Sequence, residues 1–274
     1  MAVQNSVITN ASSFVALRTL NGINRSLDVT QQRVSTGLRV AGALDDASNF
    51  SIAQGIRAEV RALGAVTQGL NNAKGIGKVA LAGATGISNL LTDIRAKLTE
   101  MANEGITTSQ RVILQNDFNK LLSQAANFIT NAKFNGKNLI ESGAANVNTL
   151  SNLSGGTLTL TAKDLRTLTN SLAGSTVATA TNAQSVIANE FFNLQSTVNV
   201  ALGTLGAEVR ALNLQTTFLD ELTDATTEGL GNIVDADLAR ESARLTSLQV
   251  QQQLSTQTLG IANQRPQILL GLFG

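Results

Sequence analysis

The short run Gly75-Ile76-Gly77-Lys78 contains the residue types of a phosphate-binding loop. In that loop, backbone N–H groups and a lysine hold the phosphate oxygens. A glycine stands five residues before the Gly-Lys pair, and Ser or Thr follows the pair. Asn72 and Val79 occupy those two places in this chain. The run therefore does not predict a nucleotide site, and the same holds for Gly136-Lys137.

Asp45-Asp46 is the other run whose residue types could form a reactive or metal-binding site, because paired carboxylates can bind a metal ion or exchange a proton. No other acidic cluster lies near this pair in the sequence. We therefore interpret the pair as a helix start, or as an ion-pair partner of Arg39 or Arg57, since aspartate favours helix N-termini. Asp235 and Asp237 predict a second helix start for the same reason.

The residue types that the chain lacks exclude most enzyme classes. It has no Cys, His, Trp or Tyr, so it offers no thiolate, no imidazole base and no soft metal ligand. Carboxylate, lysine and serine chemistry remain open to the chain. Since the runs above do not predict a site of that kind, we expect a protein that is not an enzyme and that uses no metal or cofactor. Twenty basic residues against 19 acidic residues give a net charge of +1. That balance supplies no field for binding nucleic acid or an anionic membrane.

Neither a secretory signal nor a membrane span is expected. The first charged residue is Arg18, and Asn, Gln, Ser and Thr are frequent before it, unlike the basic start and apolar run of a signal peptide. The longest uncharged stretch, residues 167–189, is rich in Ser, Thr and Asn. Such a stretch is too polar to enter a bilayer.

Long helices are predicted by apolar residues that recur at alternating steps of three and four, which places them on one face of each helix. Helices of this kind pack nearly side by side. The predicted fold class is therefore mostly α, with long antiparallel or coiled-coil helices and a small β-hairpin region in the middle of the chain. The spacing is found in residues 14–34, 60–101, 114–128, 187–219 and 238–259.

Residues 136–183 depart from that spacing and are rich in Gly, Ser, Thr and Asn. Thr157-Leu158-Thr159-Leu160-Thr161 alternates with a period of two, which is typical of a strand. Gly143 and the Gly155-Gly156 pair are turn residues that separate short strands. We predict a brief, surface-facing β element here. Six glycines between residues 64 and 86 lie instead in a helical pattern, and we interpret them as places of close helix approach.

The two chain ends carry apolar stripes that they cannot bury alone. A helix over residues 6–38 would be about 50 Å long with only a thin apolar face, and the last helix, from about residue 235, has the same problem. Pro266 is expected to end or kink that last helix, leaving an apolar tail that needs a partner. The candidate residues for packing of the chain ends on each other and on other subunits are Phe14, Leu17, Leu20, Ile23, Leu27, Val34, Leu238, Leu245, Leu248, Leu254, Leu259, Ile261, Leu269, Leu270, Leu272 and Phe273.

Arginines dominate the charge of the first 40 residues, where Arg18, Arg25, Arg33 and Arg39 stand against the single acid Asp28. Two interpretations stay open. The arginines form a solvated face, or they join neighbouring subunits through acids elsewhere in the chain.

Both chain ends also contain recognisable motifs. Arg33-Val34-Ser35-Thr36-Gly37-Leu38-Arg39, followed by Asp45-Asp46-Ala47, resembles the N-terminal region of bacterial flagellins. Residues 235–243 and 251–254, with the ending from residue 261 to Phe273, resemble the flagellin C-terminal region. Lys133-Phe134-Asn135-Gly136-Lys137 resembles the turn that leaves the central helices of the family. These matches occur in the family's order along the chain.

The resemblance implies a structural subunit that self-assembles into the bacterial flagellar filament for motility. It implies that residues 1–40 and 238–274 are the terminal helices of an inner filament-core domain. Residues 41–237 would form an outer helical-rod domain, with the β element near residues 136–183. The segment that replaces the large outer domains of many flagellins is short, as in alphaproteobacterial members.

The partners and location implied by the resemblance follow from the same family. The partners are other flagellin copies, the flagellar cap and hook-associated proteins, an export chaperone and the flagellar type III export apparatus. The location is the extracellular filament, reached without a cleavable signal peptide.

Three other functions share some of these sequence features. The hook–filament junction protein has similar chain ends, but its copies do not polymerise indefinitely. Flagellins with a metallopeptidase insert need His ligands, and this chain has no His. A secreted coiled-coil effector would have the heptad spacing, but it would not explain both terminal motifs.

Overall fold

The computed structural model describes residues 9–272, and it describes side-chain burial for residues 9–264. Long helices and one small mid-chain hairpin make up this part of the chain, so the predicted fold class is confirmed. In chain order the elements are α1 (Ala11–Thr36), α2 (Ala47–Met101), α3 (Thr108–Asn131), β1 (Val147–Leu150), β2 (Thr157–Leu160), α4 (Arg166–Ala173), α5 (Ala180–Val186), a π-helical segment (Ile187–Phe191), α6 (Phe192–Val234) and α7 (Leu238–Leu272).

The chain divides into two compact units. One unit contains the residues up to Ala58 and those from Thr226 onward, and it includes α1 and α7. The other unit is Glu59–Ala225, and it includes α3, the hairpin, α4, α5 and most of α2 and α6.

The unit Glu59–Ala225 is built around one continuous apolar core. Its α2 and α6 residues follow the steps of three and four that the sequence shows, so the predicted amphipathic helices are confirmed. Each fully buried leucine or isoleucine contributes about 1.5–3 kcal/mol relative to exposure. Core residues of the two helices include Leu70, Ile87, Leu91, Ile94, Leu98, Leu194, Val198, Leu205, Leu212 and Leu219.

Four glycines of α2 lie where no larger residue fits. A Cβ atom added at any of them would lie 2.6–2.9 Å from a side-chain atom outside α2; they are Gly75, Gly77, Gly83 and Gly86. The interpretation as close helix approaches is confirmed for Gly77, which meets Val209 of α6, and for Gly86, which meets Phe128 of α3; Gly75 and Gly83 instead approach the segment that follows α3. It is wrong for Gly64, which has nothing within 4 Å, and for Gly69, whose nearest neighbour is an ordinary contact at 3.4 Å.

The mid-chain hairpin pairs β1 with β2 antiparallel, with Val147 opposite Leu160. Gly155 has φ 89° in its turn, a left-handed conformation that glycine adopts without strain. The expectation that this segment faces the surface is right for one face of the hairpin, where alternate strand residues are exposed, and wrong for Leu160, which is buried in the core of the unit. The hairpin is also fastened to α6, since the Thr161 N–H and hydroxyl donate to Glu208 at 2.9 and 2.6 Å.

The short helices α4 and α5 were not predicted. Their sequences, RTLTNSLA and ATNAQSV, are rich in Thr, Ser and Asn, which have weak helix propensity. Burial of Leu172 and Ala183 in the core fixes these helices. Tertiary packing therefore decides their structure.

A bidentate ion pair also holds the middle of the chain. Arg166 donates to Glu141 from Nε at 2.8 Å and from Nη2 at 3.1 Å, and a further Arg166 bond reaches the Thr130 hydroxyl. The hydrogen bond from Arg166 is the main cause that lowers the pKa of Glu141 below its usual value of 4.5. A lowered carboxyl pKa stabilises the fold at neutral pH, and this contribution is lost as pH falls through the folded-state pKa.

We therefore expect acid to destabilise the unmodified protein more than the Glu141→Gln variant. Thermal unfolding of both proteins, measured from pH 7 to pH 3, should show the difference in melting temperature shrinking below about pH 4.5. Glu104→Gln is the control, because exposed Glu104 makes no ion pair within 4 Å in the described chain. A difference in melting temperature that stays constant from pH 7 to pH 3 would contradict a stabilising role of the Glu141 carboxylate.

The aspartates predicted as helix starts are placed as expected in two cases. The Asp46 carboxylate accepts hydrogen bonds from the Ser48 and Asn49 N–H groups at the start of α2, and the bonds from Asn49 are the main cause that lowers its pKa. Asp237 accepts from the Arg240 N–H at the start of α7. Asp45 instead accepts from the backbone of the preceding turn.

Of the two effects expected of Pro266, an end of the last helix is wrong, because α7 continues to Leu272, and a kink stays a prediction. Proline removes one backbone N–H and so one helical hydrogen bond. The turns on either side keep the backbone helical across that single loss.

Within residues 9–272, no helix has the length and apolar character needed to span a bilayer. The same part of the chain has no group of three or more His, Cys, Asp or Glu placed to bind a metal ion.

Candidate assembly surface on the terminal helices

α1 begins and ends at residues that satisfy its free backbone groups. The Asn10 side-chain oxygen accepts a hydrogen bond from the Ser13 N–H at 3.1 Å, as an N-cap residue does. At the other end Gly37 has φ 72°, and its N–H donates to the Arg33 carbonyl at 2.9 Å. The helix therefore lies inside the predicted range of residues 6–38.

A short backbone bridge brings the end of α1 to the start of α7. Leu38 pairs antiparallel with Asp235, and the Arg39 and Val40 N–H groups donate to the Val234 carbonyl at 2.7 and 3.2 Å. Val40 and Val234 also pack in a small buried cluster with Ala53. From this bridge α1 and α7 extend side by side, with opposite chain directions.

Side chains connect α1 and α7 along much of α1. From Ser13 to Arg33 on α1, the partner on α7 falls from Asn263 to Glu241, which defines an antiparallel pair. The bonds run from Asn10 Nδ2 to the Ala262 carbonyl (2.7 Å), from the Ser13 hydroxyl to Asn263 Oδ1 (2.7 Å), from Gln252 Nε2 to Asn24 Oδ1 (2.8 Å) and from Arg33 Nη1 to Glu241 Oε1 (3.3 Å).

Seven of the candidate packing residues lie half-buried or buried in this pair, which we call the seam. Leu248 is the most buried of them, at 8% exposed. The members on α1 are Leu20, Ile23, Leu27 and Val34, and those on α7 are Leu245, Leu248 and Leu259.

Five other candidates face outward instead, and we call them the outward set. They are between 44% and 65% exposed: Phe14, Leu17, Leu238, Leu254 and Ile261. The structure thus divides one predicted stripe into two groups with different surroundings. The side chains of Leu269, Leu270 and Leu272, and all of Phe273, lie outside the described residues.

Polar residues also occupy the seam, although they are not among the candidate packing residues. Thr30 is 1% exposed and Glu241 is 8% exposed. The sequence contains the information needed to find them, because the spacing of three and four residues that marks the seam continues through polar positions. On α7 they run through Glu241, Leu245, Leu248, Gln252, Ser255, Leu259 and Ala262, all of which are buried or half-buried.

The arginines of the first 40 residues separate into those with a partner in their own chain and those without an ion pair. Arg33 forms an ion pair with Glu241 inside the seam, so its partner is in its own chain. Arg39 donates to the Ile233 carbonyl at 2.7 Å. Arg18 and Arg25 make no ion pair within 4 Å among the described residues, so both interpretations stay open for these two.

The terminal helices are therefore the candidate surface for non-covalent association with another subunit. They present apolar side chains to the solvent next to a seam that is already partly filled by polar groups.

Comparison with known protein families identifies what kind of chain carries this surface. The family model described as bacterial flagellin N-terminal helical region matches residues 7–145. The model described as bacterial flagellin C-terminal helical region matches residues 193–273. Together the two matches include α1, α2, α3, α7 and all of α6 except its first residue.

Relatives match along nearly the whole chain. Flagellin FljK of Caulobacter vibrioides is 37% identical over 275 residues, covering 98% of each protein. A flagellin of Brucella melitensis is 33% identical over 284 residues, covering 98% of this chain and 99% of the relative. The expected likeness to alphaproteobacterial flagellins is confirmed.

Solved structures show the same fold at lower identity. Bacillus cereus flagellin aligns with a TM-score of 0.50 and 22% identity over 55% of this chain and 88% of that one. A putative flagellar hook-associated protein from Vibrio parahaemolyticus aligns with a TM-score of 0.59 and 13% identity over 70% of this chain and 100% of that one. At these identities the likeness concerns fold alone.

The chain belongs to the bacterial flagellin family. It is a structural subunit, not an enzyme, and it polymerises with other flagellin copies into the extracellular flagellar filament that serves motility.

Proposed function

We propose that α1 and α7 form the subunit-packing layer at the core of the filament. In this arrangement residues 1–40 and 238–274 make up the inner domain. Residues 41–237 make up an outer helical-rod domain with the β element near residues 136–183. The observation that carries the proposal is the outward set, five large apolar side chains exposed on the two terminal helices.

Exposed apolar area costs about 25 cal/mol per Å² in water, and this cost disappears when a neighbouring subunit covers it. Since a filament repeats each contact at every subunit, a modest gain per copy is enough to drive growth. The seam residues hold the helix pair together, and the outward set contacts other copies. The tail residues Leu269, Leu270, Leu272 and Phe273 are proposed to join the outward set.

The test replaces two outward residues that have little packing in their own chain. In Leu254→Gln with Ile261→Gln, the α1/α7 pair should still form, because neither side chain lies in the seam. Loss of their burial between subunits, up to about 1.5–3 kcal/mol each, should slow elongation of parental filament seeds at least tenfold, since about 1.4 kcal/mol is a factor of ten. Light scattering measures the elongation rate, and circular dichroism measures the helix content.

The matched control is Gln253→Ser with Gln257→Ser, which changes two exposed polar residues of the same helix. It should elongate seeds at the parental rate. Parental elongation by the Leu254→Gln, Ile261→Gln protein would show that the outward set does not pack between subunits.

The finer partners belong to the same proposal and are supported by family membership. The subunit is carried by an export chaperone to the flagellar type III export apparatus, leaves without a cleaved signal peptide, and meets the cap and hook-associated proteins in the filament. Sequencing the N-terminus of subunits recovered from filaments tests the export route. Removal of an N-terminal segment on the way out would contradict it.

Seeded growth also separates the filament subunit from a junction protein of similar fold. A filament subunit elongates seeds for as long as free chain is supplied. A junction protein stops after a short layer. Filament length measured by electron microscopy against added protein distinguishes the two.

A further inference from the structure

Charges are unevenly distributed along the chain, although they nearly cancel in the whole protein. The first 40 residues contain four arginines and one acid, whereas residues 211–239 contain six acids and no basic residue. Arg33 and Arg39 bind groups of their own chain. Arg18 and Arg25 are exposed and make no ion pair within 4 Å among the described residues. These two cations are therefore available to a group outside the chain.

Arg18 and Arg25 share one exposed side of α1 with apolar side chains. Phe14, Arg18, Asn21, Arg25 and Val29 follow one another at steps of four and three residues, which places them on the same side of a helix. Phe14 is 57% exposed and Val29 is 43% exposed. We call these five residues the basic face.

α6 carries a face of opposite charge, within the unit Glu59–Ala225. Leu214, Phe218 and Glu221 are four and three residues apart, so they lie on one side of the helix, and Asp220 and Asp224 flank Glu221. Leu214 is 67% exposed and Phe218 is 54% exposed. The three acids are exposed and make no ion pair within 4 Å in the described part of the chain. We call these five residues the acidic face.

The two faces are complementary in charge and alike in apolar content. Each combines two large exposed apolar side chains with charges of one sign. Contact between the faces would cover the apolar side chains and give every arginine a carboxylate partner. No ion pair joins the two faces between residues 9 and 272 of one chain, and a second copy supplies the opposite face in equal number.

The symmetry of such a contact suits a filament. Because the two faces differ, each subunit would use its basic face toward one neighbour and its acidic face toward another. A contact of this heterologous kind does not close on itself in pairs, and it generates rings or open helical polymers. The chain belongs to a family whose members polymerise into filaments, so an open polymer is the expected product.

We propose that the basic face of α1 in one subunit docks on the acidic face of α6 in a neighbouring subunit. The arginines then pair with the carboxylates, and the apolar side chains of the two faces cover each other. Complementary charges select the partner and its orientation more than they add affinity. The inference rests on the proposed role of α1 as a subunit-packing helix, and it names the surface on which that helix packs.

Charge exchange tests the contact in polymers of one variant. Arg18→Glu with Arg25→Glu should raise the subunit concentration left unpolymerised after pelleting at least about tenfold in about 20 mM salt, because like charges would then meet. Glu221→Arg with Asp224→Arg should do the same. The fourfold variant restores opposite charges, and its unpolymerised concentration should return to within about threefold of that of the unmodified protein. Both losses should shrink in about 0.5 M salt, which screens exposed charges.

Lys74→Glu with Lys78→Glu is the matched control, because it makes the same change in net charge on α2. It should leave the unpolymerised concentration within about twofold of that of the unmodified protein. An equal rise in this control would overturn the proposal, since net charge would then explain the effect. A fourfold variant that polymerises no better than the two twofold variants would also overturn it, because the two faces would not meet.

Cross-linking locates the contact without changing its charges. The chain contains no Cys, so Asn21→Cys in the basic face and Ala225→Cys next to Asp224 supply the only thiols in a mixture of the two variants. Mixed filaments treated with a short bismaleimide should give a dimer that contains one subunit of each variant, identified by peptide mapping. Ser123→Cys, which is exposed on α3, replaces Ala225→Cys in the control and should give several-fold less mixed dimer. Equal yields, or no mixed dimer with Ala225→Cys, would overturn the proposal.

Failure of this docking can be distinguished from failure of the proposed packing role. Parental elongation by the Leu254→Gln, Ile261→Gln protein contradicts packing through the outward set on α7. The charge exchange and the mixed dimer are measured on α1 and α6, so their results stand independently. Slow elongation by that protein, together with a fourfold charge variant that is not restored, contradicts the docking alone.

Discussion

Lysine in place of Leu248 is expected to stop filament growth while the unit Glu59–Ala225 stays folded. Leu248 is 8% exposed in the seam of the terminal helices, so a lysine ammonium group placed there would be buried among apolar side chains. Burying an unpaired charge costs several kcal/mol. Seeded elongation should therefore fall at least about a hundredfold, because each 1.4 kcal/mol is a factor of ten.

The measurement combines pelleting of seeded filaments with thermal unfolding followed by circular dichroism. Leu245→Lys should have the same direction and a smaller effect, since Leu245 is only half-buried. Gln249→Lys is the control, because Gln249 is exposed one residue away from Leu248. Normal filaments from Leu248→Lys would show that an intact seam is not required for assembly. An equal loss of elongation in Gln249→Lys would show a general effect of charge on α7.

The long helices could be predicted because a single periodic pattern persists over many turns. In α2 and α6 the same steps of three and four that appear in the sequence mark the buried residues, from Leu70 to Leu98 and from Leu194 to Leu219. α4 and α5 could not be predicted, since each is too short to show a period and is poor in strong helix formers. Their helical state follows from the core that they help to close.

The assembly surface was predictable as a set of residues but not as two groups. Spacing alone shows that Leu17 and Leu20 lie on similar faces of one helix. It does not show which of them α7 covers, and the structure exposes Leu17 while Leu20 is half-buried. The polar members of the seam were missed for a related reason, because a search for apolar residues passes over Thr30 and Glu241 even where the spacing continues through them.

Alanine at Gly77 and alanine at Gly64 are expected to change stability in opposite directions, although both glycines lie in α2. A Cβ atom at Gly77 would meet Val209 Cγ2 at 2.6 Å and Leu160 Cδ2 at 3.2 Å. Val209 is buried, and its branched side chain has few alternative rotamers, so the backbones must separate. Such overpacking costs about 1–3 kcal/mol. At Gly64 nothing lies within 4 Å, and alanine should stabilise the helix by up to about 1 kcal/mol.

Thermal unfolding of the soluble chain measures both effects, at roughly 2–4 °C per kcal/mol for a unit of this size. Val209→Ala provides the internal check, because it removes the methyl group that the new Cβ would meet. The double variant Gly77→Ala, Val209→Ala should lose less stability than the two single variants add up to, since residues in contact do not behave independently. Additive losses, or a rise in melting temperature for Gly77→Ala equal to that for Gly64→Ala, would show that α2 and α6 do not approach at Gly77 as closely as the structure places them.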